Sequence, residues 1–423
     1  MRMSICQRII LALTLLALLG LTLAGCAQPP AQAQVAKSSL VRETAPAVPS
    51  ADLAELVAGN SAFAFDLYHA LRQQGGNLFY SPYSISAALA MTYAGARGET
   101  ERQMADTLHY TLPQERLHPA FNALDLALTG SDEFTLHIAN AIWGQTGHPF
   151  LAGFLDALAQ NYGAGLRLLD FAKEPEPSRQ VINDWVSQQT EERIKDLIPQ
   201  GGITPATVLV LANAIYFDAD WQHPFAEGST RDGAFHTLDG AQVTAPMMSM
   251  AEYPALSYGQ GEGYQVVELP YAGGQMAMLV LVPDAGQFEA FEATLDAGRV
   301  EAILGSLEPK QVALTMLKFS YQSEFSLAKT LAALGMPAAF VDADFAGMDG
   351  ARELFISDVF HKAFVAVDEA GTEAAAATAV VVAKTAAPAY DVELTVDRPF
   401  VYMIRDVETG AILFVGRVVD PSQ

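Results

Sequence analysis

Residues 359–380 read "VFHKAFVAVDEAGTEAAAATAV". The stretch begins as an apolar strand, turns at Glu369-Ala370-Gly371-Thr372-Glu373, and then runs through Ala374–Ala377 toward three valines, Val380–Val382. A linker at this place would be polar. A helix would not carry Thr-Ala-Val-Val-Val, because β-branched side chains lose rotamer freedom in a helix. The segment therefore has strand chemistry but lies between two ordered elements, and its use has to be read from the rest of the chain.

The chain has 423 residues, 51% of them hydrophobic and 17% charged, enough for a large core. Its formal charge is −24, and no run of Lys and Arg occurs, which argues against nucleic acid and against an anionic polysaccharide cofactor as partners. The acidity reads as solubility.

The N-terminus has the layout of a secretory signal. Arg2 and Arg8 precede an apolar stretch over Ile9–Leu23, too short for a membrane span of ~20 residues. Leu23-Ala24-Gly25-Cys26 then resembles the lipobox of bacterial lipoproteins. That resemblance implies removal of residues 1–25 and a diacylglyceryl group on Cys26, giving a secreted protein held to the cell envelope by lipid. Ala27 lacks the Asp linked to inner-membrane retention, which points to the outer membrane or the extracellular face. Only Cys6 and Cys26 exist, so the mature chain would have no disulfide. Loss of Arg2 and Arg8 with no acid takes the charge from −24 to −26. Residues 26–50, rich in Pro, Ala and Gln, read as a flexible tether.

Residues 51–423 show no break and no repeat, and read as one domain. Helical spacing predicts helices over Leu53–Leu71, Ser84–Ala94, Leu117–Leu128, Phe150–Tyr162 and Ser178–Thr190. Strands dominate later. "VLVLANAIYF" (208–217) suits a strand buried on both faces, and "YQVVELPYAGGQMAMLVLVP" (264–283) two strands around Gly273-Gly274. Val359–Asp368 is a further strand, and a hairpin closes the chain. The order predicts an α+β domain.

No catalytic signature accompanies this pattern. There is no Gly-x-Ser-x-Gly, no His-Glu-x-x-His and no phosphate loop; "GQGEGY" (259–264) lacks the final Gly of a dinucleotide fingerprint. No histidine pair has metal-ligand spacing. His361, alone on a buried strand, needs hydrogen-bond partners, since an unsatisfied buried polar group costs ~1–3 kcal/mol.

Four separated segments, in order, resemble the serpins: "NLFYSPYSISAALAMTYAGARGETERQM" (77–104), "LANAIYFDADWQHPF" (211–225), the stretch at 359–380, and "DRPFVYMI" with "ILFVGRVVDP" at the C-terminus. The resemblance implies three β-sheets, eight or nine helices and an exposed reactive loop at about 369–390. It implies a monomer without cofactor or metal that is not an enzyme. The partner is a serine protease of elastase, subtilisin or trypsin type, with a cysteine protease as a further target class. A non-inhibitory serpin, binding or chaperone-like at the cell surface, is the alternative. Carried over by motif, Ser81, Ser84, Asn213 and His361 form the shutter under the central sheet, and Trp221 the breach at its top. Glu369, Gly371, Thr372, Glu373 and Ala374–Ala377 (Ala374, Ala375, Ala376, Ala377) form the hinge.

The loop composition fits strand insertion. No Pro interrupts 372–387, and Pro would remove a ladder donor. Thr372, Ala374, Ala376 and Thr378 alternate on one face and are small. Gly371 is read as easing the turn out of the strand. Counting from Glu369 places the scissile bond between Thr385 and Ala386, with Lys384 as rival and the interval from Val382 to Ala386 left open.

Overall fold

The structure is a computed structural model that describes residues 32–131, 133–372 and 389–422. Residues 1–25, read from sequence as a signal, Cys26, the expected hinge residues Glu373–Ala377, and Lys384, Thr385 and Ala386 lie outside the described residues. Residues 33–423 form one compact unit.

A seven-stranded sheet dominates. Its order is Gln34–Ala36, Leu166–Leu169, Thr135–Gln145, Leu209–Asp220, Gly371–Thr372, Ile356–Val367 and Phe319–Ser326. A second, ten-stranded set bends at Glu308–Leu317 into two sheets. The first residues of that strand pair with Ala255–Gly261, and its last with Gln242–Ser249 and Val392–Val396. Among the described residues there are ten α-helical segments, eight of them seven residues or longer. The predicted helices are present with shifted ends, for example Ser50–Leu71 and Gln114–Thr129.

The central strand Leu209–Asp220 explains the layering. Leu209, Leu211, Ile215 and Phe217 join the main core, while Val210, Ala212, Ala214 and Tyr216 join a smaller one on the other face. Alternation by two sends neighbouring side chains to opposite faces, so a strand apolar throughout feeds two cores. The smaller core is closed by helix Pro175–Gln189 through Ile182 and Val186. Helix Pro82–Tyr93 packs under the sheet on the main-core side. Its start is fixed by Ser81, whose Oγ accepts from the Ser84 N–H at 3.1 Å, with Pro82 at the first helical position.

The tether expectation is corrected over its described part. Gln34–Ala36 pairs antiparallel with Leu166–Leu169 and becomes the sheet's edge strand. Ser38 Oγ donates to Asp156 at 2.5 Å, and Arg42 donates to Asn122 and Asp125, each at 2.7 Å. These contacts use backbone groups and isolated polar pairs, so the segment docks without the apolar period that a sequence reading needs.

Candidate functional site

The site is a seam between the parallel strands Leu209–Asp220 and Ile356–Val367. They pair directly from Ile356↔Leu209 to Ala363↔Ile215. Above that point they separate, and Gly371–Thr372 occupies the gap, paired with Asp220, Ala219 and Val367. The expectation of an exposed loop from 369 is therefore corrected: Glu369, Gly371 and Thr372 are buried.

The chain reverses over Asp368–Gly371. The Asp368 carboxylate accepts from the Ala370 N–H at 2.9 Å, and the Asp368 N–H donates to the Gly371 carbonyl at 3.0 Å. Gly371 is required for a reason other than the one read from sequence. Its φ is not left-handed; instead a Cβ there would fall 2.1 Å from the Ala219 carbonyl oxygen. Thr372 is 1% exposed, and its Oγ1 lies 2.6 Å from the Tyr271 hydroxyl. Burial pushes the Tyr271 phenol up, so it stays neutral beside the threonine.

Trp221 closes this end. Its ring stacks on Tyr271 at 4.4 Å, its Nε1–H donates to the Asp368 carbonyl at 3.0 Å, and its backbone N–H donates to the Ala370 carbonyl at 2.7 Å. Glu369 accepts from Lys318 Nζ and Thr230 Oγ1, both at 2.5 Å. Burial alone would raise the Glu369 carboxyl; the hydrogen bonds from Lys318 and Thr230 outweigh it and hold the group below its usual range. Tyr271, Lys318 and Thr230 carry no sequence signal, because they come from three distant segments.

The lower end is neutral. His361 and Asn213 face each other in register, both 0% exposed. The Ser81 N–H donates to His361 Nε2 at 3.2 Å, so the ring proton sits on Nδ1 and is donated to Asn213 Oδ1. Asn213 Nδ2 donates to Ser84 Oγ at 2.6 Å and to Asn140 Oδ1; Ser84 Oγ donates to Asn140 Oδ1 at 3.2 Å. Asn140 Nδ2 returns a bond to the Ser84 carbonyl at 3.2 Å. Burial lowers the His361 pKa to about 3, keeping the ring neutral at ordinary pH. The structure thus brings Ser81, Ser84, Asn213 and His361 together and adds Asn140, which sequence reasoning missed. A signal existed: Ala-Asn-Ala-Ile occurs at 139–142 and again at 212–215, and the two asparagines pair directly.

Among the described residues no cluster of His, Cys, Asp or Glu could hold a metal, and no helix is long and apolar enough to cross a membrane.

Comparisons with known proteins agree with this geometry. The family model described as Serpin (serine protease inhibitor) matches residues 58–421. An uncharacterized serpin-like protein of Thermococcus kodakarensis is 38% identical over 367 residues, 86% of this chain and 85% of that one. The leukocyte elastase inhibitor of Bos taurus is 38% identical over 379 residues, 87% of this chain and 100% of that one. The solved native structure of Tengpin, a thermophilic serpin, superposes with a TM-score of 0.81 at 26% identity, covering 92% of this chain and 100% of that one.

Proposed function

The chain belongs to the serpin family, and from that premise we propose that it inhibits serine proteases as a suicide substrate. A protease attacks the loop and forms an acyl-enzyme. Before water releases the enzyme, the cut loop enters the seam as a new strand and carries the protease with it, distorting its active site. Serpin loop insertion is itself an established case of strand addition and strain release. The inhibitor supplies the bait and the sheet; the catalytic groups are the protease's.

The observation that supports this reading is the occupied top of the seam. Thr372 is paired on both sides, to Ala219 and Val367, so the next residues have a slot continuing from it. If about a dozen residues each gained a net hydrogen bond of ~1 kcal/mol, the drive would be on the order of 10 kcal/mol. That is comparable with a whole domain's stability, which makes the uncut state metastable and kinetically held.

Mixing the protein with elastase, subtilisin, trypsin and a cysteine protease tests the reading. An SDS-stable complex is expected with at least one. Mass spectrometry of the released fragment is expected to place the cut after Thr385, with a cut after Lys384 assigning a trypsin-like target instead. Cleavage by every protease without a complex would make the protein a non-inhibitory serpin, the alternative of a surface binding or chaperone-like role.

The proposal includes a lipid anchor on Cys26, holding a monomer to the cell envelope on the outer membrane or the extracellular face. Cys26→Ala is expected to move the protein from the membrane pellet to the soluble fraction; retention in the pellet would reject the anchor.

A further inference from the structure

One cation in this acidic chain has an unusual setting. Arg167, half-buried on Leu166–Leu169, pairs through its backbone with strands on both sides, but its side chain makes no ion pair and no hydrogen bond among the described residues. Its guanidinium lies 4.6 Å from the ring centroid of Trp185 and 5.3 Å from that of Trp143. The two indoles meet edge to face at 5.6 Å and 74°. Trp143 is its cross-strand partner in the sheet; Trp185 belongs to helix Pro175–Gln189, which lies over the sheet. Arg167 therefore fastens that helix to the sheet by its charge against two ring faces.

The helix and the chain that follows it cover the seam. Asn183 bonds both ways with the Ile198 backbone, so residues 190–198 are held close to the helix. That covering chain is tied to the far side of the seam by Lys362 of Ile356–Val367, whose Nζ donates to the Lys195 carbonyl at 3.0 Å. The cover is thus fixed to both sides of a gap. A strand entering the gap separates the two sides by roughly 4.8 Å, the spacing of neighbouring strands. The cover cannot follow both, so one fastening must give.

We infer that Arg167 is a positioning residue for loop insertion: it keeps the covering helix with the Leu166–Leu169, Thr135–Gln145 and Leu209–Asp220 side, so that the Lys195–Lys362 bond is the one released. The inference rests on the insertion mechanism proposed above. Loss of the guanidinium weakens the near-side fastening, leaving the packing of Ile182 and Val186 on the sheet and the Arg193 guanidinium over the Tyr216 ring. The helix then opens more often, and the uncut loop enters the sheet without waiting for a protease.

Amide hydrogen exchange on the intact protein reads the fastening without any protease. Arg167→Met is expected to speed exchange over Ser178–Gln189 by about tenfold, from the order of magnitude of a half-buried cation–π contact. Helix Gln114–Thr129 serves as an internal control and keeps its protection. Spontaneous conversion of the uncut protein to a heat-resistant form should accelerate by a similar factor. Arg167→Lys, which keeps the charge but loses the planar stack, should fall between, and it replaces the methionine variant if that one does not fold. Exchange within twofold of wild type over Ser178–Gln189 in a folded variant overturns the fastening, as does equal acceleration in both helices. If exchange responds as expected while the wild-type protein traps no protease, the inhibitory reading fails and the fastening stands.

Discussion

At Thr372 the strands Leu209–Asp220 and Ile356–Val367 stand apart with a third strand between them; at Asn213 and His361 the same two strands pair directly. The open end is held by a charged pair, Lys318 and Glu369, with the lysine side chain 40% exposed. The closed end is held by neutral groups, of which Ser81, Ser84, Asn213 and His361 have no exposure and Asn140 is partly buried. The difference sets where opening can propagate. An ion pair whose lysine reaches water is screened by salt and gives way more cheaply than one buried on both sides. A buried polar cluster is costly to leave half-satisfied, so it either stays closed or exchanges all its partners together.

The largest expected effect comes from blocking the open end. Thr372→Arg places a charge where a 1% exposed hydroxyl meets Tyr271. Burying it unpaired costs several kcal/mol, so the yield of SDS-stable complex should fall at least about tenfold while loop cleavage continues. Undiminished complex would remove the open end from the mechanism.

Acid sharpens the contrast at the closed end. His361 has a folded pKa of about 3 against about 6.5 in the unfolded chain. Between those values the unfolded chain takes the proton and the folded one does not. Stability is therefore fully present above pH ~6.5 and declines as pH falls toward 3, by up to about 1.4 kcal/mol per pH unit. His118, lowered to about 4 by burial, adds a similar slope. The test is thus the difference between wild type and His361→Gln in urea melts from pH 7 to 4. A wild-type curve parallel to that of the variant would show that His361 does not titrate on unfolding.

The smallest effect belongs to the ion pair. Glu369→Gln should cost about 1 kcal/mol or less, and the cost should shrink in 1 M salt. A larger, salt-insensitive loss would mean that the open end is held as firmly as the closed one.

The two ends also differed in how far the sequence revealed them. The strand Leu209–Asp220 was legible because ten consecutive apolar or small residues leave few other readings, and His361 announced a need for partners by its apolar surroundings. Asn140 was not, since Thr135–Gln145 mixes His137, Asn140 and Gln145 into its apolar positions and shows no clean period. The repeated Ala-Asn-Ala-Ile would have revealed it. Gly371 was identified as necessary but for the wrong cause: conformational freedom can be guessed from one residue, whereas a backbone approach of Ala219 requires knowing which strand lies alongside. The buried start of the hinge was missed for the same reason, because Glu-Ala-Gly-Thr has loop composition and only the neighbouring strands make it part of the sheet.

The docked edge strand shortens the leash. Were Cys26 lipidated as proposed, a free segment over 26–50 would let the domain roam far from the bilayer. With pairing beginning at Gln34, only eight Cα steps separate the domain from Cys26, about 26–29 Å at full stretch. An anchored molecule of this kind would patrol a thin layer next to the bilayer, meeting proteases that work at that surface sooner than those in the bulk. Gln34–Ala36, the strand closest in sequence to the proposed anchor, is also one edge of the sheet, and crowding it against a membrane would shield it from pairing with a neighbour.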